Sequence, residues 1–179
     1  MILVAVGANL SAADGAAPRS SCERALALLA ADGFPVIGRS RWYRSAPWPR
    51  SDQPDYVNGV VRIEARESPE ALLRRLHAIE RRMGRVREAT DAARVIDLDL
   101  LAFGTMVRGA DGEANRSRLS LPHPRLQERA FVLFPLREVA PRWTHPVTGR
   151  SVDQMIADLA NDQECVPLED AGSKMRKTL

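Results

Sequence analysis

The chain has 179 residues, of which 45% are hydrophobic and 27% are charged. This size and composition are typical of one globular domain with a proper core. The formal net charge of +3 argues against a general nucleic-acid coat but permits a local anion site. Cys22 and Cys165 lie far apart, so we expect no zinc motif and no disulfide framework, which suits the cytoplasm. No apolar run reaches the roughly 18 residues of a membrane helix.

The first third of the chain predicts three strands and one helix. The apolar residues 1–6 predict a buried strand rather than a signal peptide, because no basic segment precedes them. Periodicity predicts a helix over 20–31 and strands over 36–43 and 56–64. Residues 44–54 contain three prolines and predict a loop between the last two strands.

The predicted strand over 56–64 alternates between apolar and polar positions. Its odd positions include Val57, Val61 and Ile63, so we expect that face to join the core. Tyr56 and Asn58 then lie on the polar face.

Ser68 predicts the start of a second helix, because serine caps helix N-termini and a proline and an acid follow it. Gly84 predicts its end. Apolar residues recur between them every three or four positions, which predicts an amphipathic helix. These residues are Leu72, Leu76, Ile79 and Met83.

Residues 94–101 predict the strand around which the rest is organised. Side chains alternate along a strand, so Asp97 and Asp99 share one face about 7 Å apart at Cα. Their charges repel unless a cation lies between them, and Mg²⁺ is typically held by one or two carboxylates plus substrate phosphates. The alternative is two aspartates on a solvent-exposed face. The opposite, apolar face consists of Ile96, Leu98 and Leu100.

The remaining segments complete the predicted fold. Residues 104–118 predict a hairpin or surface loop, 125–139 a short helix with an apolar run, and 151–159 a last helix. We expect one domain over 1–160 and a frayed polar tail over 161–179. The order βαββαβ favours the α+β class, with a ferredoxin-like antiparallel sheet, helices packed on one face and C-terminal additions.

Five short motifs follow one another along the chain. They are Gly-Ala-Asn-Leu at 7–10, Tyr-Arg-Ser through Asp-Gln-Pro-Asp-Tyr-Val-Asn at 43–58, Ile-Glu with Gly-Arg-Val-Arg at 79–87, Arg with Asp-Leu-Asp-Leu at 94–100, and Leu-Pro-His-Pro through Glu-Arg-Ala-Phe at 121–131. In this order they resemble the 6-hydroxymethyl-7,8-dihydropterin pyrophosphokinase family of folate biosynthesis. The resemblance implies a ferredoxin-like enzyme that transfers the β,γ-diphosphate of ATP to the hydroxymethyl oxygen of the pterin and releases AMP. It implies ATP and the pterin as small-molecule partners of a cytoplasmic monomer, with no nucleic acid and no membrane.

The resemblance implies a role for each matching residue. Asp97 and Asp99 match the ligands of two Mg²⁺ ions, and Arg85 and Arg94 match basic catalytic positions near the triphosphate. The matching pterin positions are Ser45, Ala46, Pro47, Tyr56, Asn58 and Phe131. The matching ATP positions are His77, Glu80, Arg85, Arg87, Arg94, His123 and Arg129.

Two departures from the family keep alternatives open. Residues 91–93 are Asp-Ala-Ala, where family members often carry Trp-Gly-Pro, and Glu88 replaces a basic residue. The affected loop closes over substrates in the family, so one alternative is a homologue that binds the pterin without catalysis. Independently of these departures, a second alternative is a ferredoxin-like module that binds RNA through its basic face, although such domains usually display two or three aromatic residues on the sheet.

Overall fold

The computed structural model of the chain describes residues 1–85, 93–109 and 119–169. Over these residues it contains a six-stranded antiparallel sheet with helices on both faces. This confirms the predicted α+β class. In chain order the elements are β1 (Ile2–Ala8), α1 (Pro18–Ala31), β2 (Val36–Arg39), β3 (Tyr43–Ser45), β4 (Tyr56–Ile63), α2 (Pro69–Arg82), β5 (Asp97–Phe103), a 3-10 turn (Leu126–Glu128), α3 (Ala130–Val139), α4 (Val152–Ala157) and β6 (Cys165–Pro167).

The sheet has the strand order β5-β1-β4-β3-β6, and β2 also pairs with β4. In the centre, β1 pairs with β4 and β5, so that Gly7 lies opposite both Asn58 and Asp97. If β2 and β3 are taken as one interrupted strand, the order up to β5 is the predicted βαββαβ. The register therefore brings one end of three strands together at a single place.

The second helix forms as its sequence predicts. The Ser68 side chain accepts a hydrogen bond from the backbone N–H of Ala71 at 3.2 Å and so caps α2. Gly84 follows the helix at φ 86°, a left-handed conformation that glycine adopts without strain. The apolar stripe is buried, with Leu72, Leu76 and Ile79 fully enclosed.

Two hydrophobic cores lie on opposite sides of the sheet. Helices α1 and α2 cover the first face, as predicted. Helices α3 and α4 cover the second face, where Leu3, Val60 and Leu101 are completely buried. The expected polar face of β4 is therefore interrupted by the buried Val60, with Asn58 on one side of it and Arg62 on the other. An RNA-binding module needs an open sheet face, so this packing argues against that alternative.

Two sequence expectations are wrong in detail. The strand expected over 36–43 is interrupted between β2 and β3, and each piece pairs with β4 separately. The chain does not fray from 161, because β6 adds to the sheet beside β3. Residues 170–179 of the expected tail lie outside the described residues. Both cysteines are free, and no described helix has the length and apolarity needed to cross a bilayer.

Candidate active site

A cavity of about 290 Å³ opens on the second sheet face, where β1, β4 and β5 extend beyond the start of α3. The same sheet face that is apolar under α3 and α4 becomes polar here, so its side chains meet solvent rather than the core. All six residues matched to the pterin site line this cavity. Four charged residues matched to the ATP and metal sites, two arginines and two aspartates, line it as well. The lining includes Ser45, Ala46, Pro47, Tyr56, Asn58, Phe131, Arg94, Asp97, Asp99 and Arg129.

The two aspartates of β5 point into the cavity from the same side of their strand. Asp97 and Asp99 keep 19% and 36% of their side chains exposed, whereas Leu98 between them is buried in the first core. The predicted alternation is confirmed. Two carboxylates therefore stand next to each other at a protein surface that a small ligand can reach.

The cationic partners of the two carboxylates differ. Arg85 donates to Oδ1 of Asp97 and Arg94 donates to Oδ2, so that carboxylate is held between two guanidinium groups. Around Asp99, Arg129 and His123 of the described residues each approach Oδ2 at 3.8 Å, farther than the two arginines that hold Asp97. The negative charge of Asp97 is thus closely paired with two guanidinium groups, whereas the cations nearest Asp99 lie farther away.

The pKa values follow this difference. Burial alone would raise the pKa of Asp97, but the charges of Arg94 and Arg85 outweigh it and hold that pKa below its ordinary range. Burial, and then the charge of Asp97, raise the pKa of Asp99 despite opposition from His123 and Arg129. Asp99 is therefore harder to ionise than Asp97 in the free protein, and a bound cation would favour its charged form.

His123 faces Asp99 from the proline-flanked segment before α3. Burial lowers its pKa against the attraction of Asp99, so the imidazole is neutral at pH 7. Its Nδ1 accepts the backbone N–H of Arg125 at 3.2 Å, which leaves the proton on Nε2, the nitrogen nearest Asp99. His123 can therefore donate from Nε2 to an anionic ligand beside the carboxylates.

Glu80 lies on α2 behind β5 and not in the cavity. Its side chain is 2% exposed, and Oε1 accepts both the backbone N–H of Leu98 at 2.8 Å and a hydrogen bond from Arg85. Burial, and then the charge of Asp97, raise the pKa of Glu80 to about 7. These contacts make Glu80 a support for β5 and Arg85, whereas the resemblance assigned it to ATP.

The amide of Asn58 is fixed at the floor of the cavity. Asn58 is 6% exposed, and its Nδ2 donates to Oγ of Ser45 at 2.8 Å. A Cβ at Gly7, opposite it in β1, would lie 2.7 Å from Oδ1 of Asn58, so only glycine leaves this amide its place. An amide can donate and accept at once, so Asn58 can offer a ligand its second Nδ2 hydrogen as a donor and its Oδ1 as an acceptor.

Three aromatic residues line the cavity, Trp48, Tyr56 and Phe131; sequence reasoning gave Trp48 no role, and the two matched rings, Tyr56 and Phe131, are each oriented by a neighbour. The hydroxyl of Tyr56 donates to Oε1 of Gln53 at 2.9 Å. The guanidinium of Arg129 lies 5.5 Å from the ring centroid of Phe131, within the range of a cation–π contact. A flat heteroaromatic ligand would gain both burial and stacking between such rings.

Asn9 is a site residue to which sequence reasoning gave no role. It is buried, its Oδ1 accepts the backbone N–H of Arg94 at 2.7 Å, and its Nδ2 donates to Gln53 and to the carbonyl of Pro54. It therefore ties the loop beside Tyr56 to the segment that leads into β5. An asparagine directly after a buried strand was the available signal, but its long-range partners have no local pattern.

The other matched positions lie outside the cavity lining. His77 is half-buried on α2, and Arg85 reaches the site through its contact with Asp97. Arg87, together with Glu88 and residues 91–92 of the departing loop, lies outside the described residues.

The donor set fits a hard divalent cation. Asp97 and Asp99 offer carboxylate oxygens from one face of β5, and both side chains keep part of their surface exposed, 19% and 36%. No third histidine, cysteine or acidic residue completes a metal cluster within the described ranges. Further ligands would thus be phosphate oxygens and water, an arrangement typical of Mg²⁺.

Comparison with known proteins places this site in a family. A sequence model of the 7,8-dihydro-6-hydroxymethylpterin-pyrophosphokinase (HPPK) family matches residues 3–141. The chain belongs to this family. A 2-amino-4-hydroxy-6-hydroxymethyldihydropteridine pyrophosphokinase of Synechocystis sp. is 43% identical over 131 residues, which cover 73% of this chain and 63% of that protein.

Other HPPK relatives agree in sequence and in fold. The protein of the same name from Pseudomonas aeruginosa is 37% identical over 162 residues, or 87% of this chain and 90% of that one. A crystal structure of Plasmodium falciparum HPPK-DHPS superposes with a TM-score of 0.65 at 15% identity, covering 87% of this chain and 43% of that one. At that identity the superposition shows the fold alone.

Proposed function

We propose that the protein transfers diphosphate from ATP to 6-hydroxymethyl-7,8-dihydropterin, giving AMP and the pterin diphosphate in folate biosynthesis. The observation that carries the proposal is one cavity whose lining joins the six pterin-matched residues to Asp97 and Asp99. HPPK family membership supports the same reaction. We further propose a monomer, because one chain supplies both parts of the site, and a cytoplasmic location, because both cysteines are free thiols, as is usual in a reducing compartment.

The pterin binds between Tyr56 and Phe131, and Asn58 reads the amide edge of its ring. Ring burial and stacking supply affinity, and the fixed amide of Asn58 supplies orientation. Ser45 holds that amide through the 2.8 Å hydrogen bond, and the backbone of Ala46 and Pro47 completes the wall. The hydroxymethyl group then points towards β5.

The reaction breaks one phosphorus–oxygen bond and forms another. The pterin hydroxymethyl oxygen attacks the β-phosphorus of ATP, the bond from that phosphorus to the oxygen bridging the α- and β-phosphates breaks, AMP leaves, and the hydroxyl proton is released. Such transfers depend mainly on positioning and charge neutralisation. The guanidinium groups of Arg85, Arg94 and Arg129 and Nε2 of His123 bind the phosphates.

Asp97 and Asp99 would hold two Mg²⁺ ions, which supply charge neutralisation at the phosphate oxygens. Asp97, which accepts from Arg85 and Arg94 in this structure, would offer its carboxylate oxygens to the cation, and the two guanidinium groups would be available to the phosphates. His77 and Glu80 remain candidate positions on the nucleotide side, Glu80 acting through Arg85. Arg87 remains a candidate phosphate ligand by resemblance.

The direct test combines the protein with Mg²⁺, ATP and 6-hydroxymethyl-7,8-dihydropterin and measures AMP and pterin diphosphate. Asp97→Ala should abolish turnover, whereas Asp153→Ala, an exposed aspartate far along the chain on α4, should leave it unchanged. Tight pterin binding without AMP would favour the non-catalytic homologue. Full turnover by Asp97→Ala would contradict the metal assignment.

A further inference from the structure

Gln163 lies beyond the region that the family model matches, yet it contacts the wall of the cavity. Its Oε1 accepts the backbone N–H of Ala130 at 2.8 Å, and its Nε2 donates to the carbonyl of Glu128 at 2.7 Å. The two contacts lie on either side of Arg129. One side chain, 33 residues away along the chain, therefore holds the junction between the 3-10 turn and α3.

Helix α3 needs such a partner. The first N–H groups of a helix have no acceptor within the helix, and Arg129, the N-cap of α3, makes no side-chain capping hydrogen bond. Gln163 supplies the acceptor for Ala130 in place of a local cap. Without it, the first turn of α3 would have to rely on water at the rim of the cavity.

The start of α3 carries two side chains of the site. Arg129 approaches Asp99 at 3.8 Å, and Phe131 follows one residue after the N–H that Gln163 holds. On the opposite wall, β6 pairs with β3 so that Cys165 lies opposite Ser45. The segment 163–167 thus contacts both walls of the cavity, one through Gln163 and one through the strand ladder.

We propose that Gln163 is a positioning residue for the pterin, which fixes Phe131 by capping α3 from outside the cavity. The inference rests on the proposed function, because it assumes that Phe131 stacks on the pterin. Gln163 itself does not line the main cavity. It acts through the backbone of Glu128 and Ala130.

Two substitutions separate its two hydrogen bonds. Gln163→Leu removes both. Gln163→Glu keeps an acceptor for Ala130, adds negative charge near a helix N-terminus, where it is favourable, and loses the donor to Glu128. The matched control is Gln154→Leu, since the Oε1 of Gln154 accepts the N–H of Ser151 at 2.9 Å in the capping box of α4, away from the cavity.

The experiment measures pterin affinity by fluorescence titration in the presence of Mg²⁺ and a non-hydrolysable ATP analogue, together with the melting temperature. We expect Gln163→Leu to weaken pterin binding about tenfold, the factor that corresponds to roughly one net hydrogen bond. Gln163→Glu should recover part of this loss, because its carboxylate still accepts from Ala130 while its second oxygen faces the carbonyl of Glu128. The affinity for the ATP analogue should also fall, but less, because Arg129 is one phosphate-binding group among several and Arg85, Arg94 and His123 are held by other contacts.

Amide hydrogen exchange of the free protein gives a second readout that needs no ligand. Exchange at residues 130–133 should accelerate in Gln163→Leu and remain slow in Gln154→Leu. The inference is overturned if Gln163→Leu binds the pterin within twofold of the wild type. It is also overturned if both ligands lose affinity equally, or if Gln154→Leu shows the same loss. A wild-type protein that binds no pterin overturns the proposed function and this inference with it, and that defect is distinguishable because it precedes any substitution.

Discussion

The orientation of the Asn58 amide depends on a residue that has no side chain. Gly7 lies opposite Asn58 in the β1–β4 ladder. A Cβ at this position would come 2.7 Å from the amide oxygen, closer than real Cβ contacts. The atom that it meets is the end of a flexible side chain, so Asn58 would rotate away and release Ser45 while the backbone keeps its place.

Gly7→Ala should therefore impair pterin binding more than stability. We expect pterin affinity to fall about tenfold, because an amide turned from its ligand forfeits roughly one net hydrogen bond, with little change in melting temperature. Gly38→Ala is the matched control, since its Cβ would make only ordinary contacts, at 3.6 Å from Arg62. Unchanged pterin affinity in Gly7→Ala would show that Asn58 does not orient the ligand.

The sequence predicted the residues at this scale but not their dependence on each other. Gly7 was part of a recognised motif, and Asn58 was matched to the pterin. Their contact depends on the register between two strands about fifty residues apart, which no local pattern encodes. The same holds for Asn9, whose hydrogen bonds reach Gln53 and Arg94.

At the scale of elements, α2 completes the open edge of the sheet. Strand β5 is an edge strand, so every second backbone N–H points away from β1 and needs another partner. At Leu98 that partner is the buried carboxylate of Glu80. Because Leu98 lies between Asp97 and Asp99, this contact fixes the strand at the point from which both carboxylates project.

Glu80→Ala should destabilise the protein and reduce turnover together. The substitution leaves the buried N–H of Leu98 without its acceptor, which costs about 1–3 kcal/mol of unfolding free energy. Glu80→Gln keeps an acceptor oxygen and should recover most of that stability, while its lost charge still alters Arg85. Denaturant unfolding and steady-state turnover of both variants provide the measurement.

The result for Glu80 also decides between two roles. If Glu80 contacted only ATP, both variants would keep wild-type stability and differ from the wild type only in the Michaelis constant for ATP. Equal stability of Glu80→Ala and the wild type would thus contradict the support role.

Elements with a repeated pattern were predictable, and elements without one were not. The stripe of α2 and the alternation of β5 each extend over several residues, so their faces follow from the sequence alone. The three-residue strand β6 has no period to detect and forms only because β3 offers an edge. The interruption between β2 and β3 likewise arises from tertiary pairing, since each piece pairs with a different part of β4.

For the molecule as a whole, the packing of α3 and α4 as a second layer on the other sheet face was the main feature that the sequence did not predict. On its face of β4, Val60 lies between the polar residues Asn58 and Arg62, yet it is completely buried beneath the second layer. Its burial depends on α3, which follows about seventy residues later. The site exists because this layer stops short of the strand ends, which leaves a polar cavity next to an apolar core.

Glu138 anchors α3 to the sheet at the end opposite Gln163. Its carboxylate accepts the hydroxyl of Tyr43 at 2.6 Å and both the backbone N–H and the guanidinium of Arg41. Burial alone would raise the pKa of Glu138, but the hydrogen bonds from Arg41 and Tyr43 outweigh it and lower that pKa below 4.5. The lowered pKa means that the folded state favours the charged carboxylate.

This pKa gives the stability of the whole fold a defined pH dependence. A carboxyl group with a lowered folded-state pKa stabilises the protein fully above its unfolded pKa of about 4.5, and that contribution disappears as the pH falls through the folded-state value. Glu138→Gln should therefore be less stable than the wild type at pH 7, and the difference should shrink below about pH 4.5. Denaturant unfolding at pH 7, 5.5, 4 and 3 measures it. The control is Glu67→Gln, since Glu67 contacts Arg75 at 3.8 Å on the protein surface, and its unfolding free energy should stay almost equal to that of the wild type at each pH. A stability difference between Glu138→Gln and the wild type that grew on acidification would contradict the anchoring role.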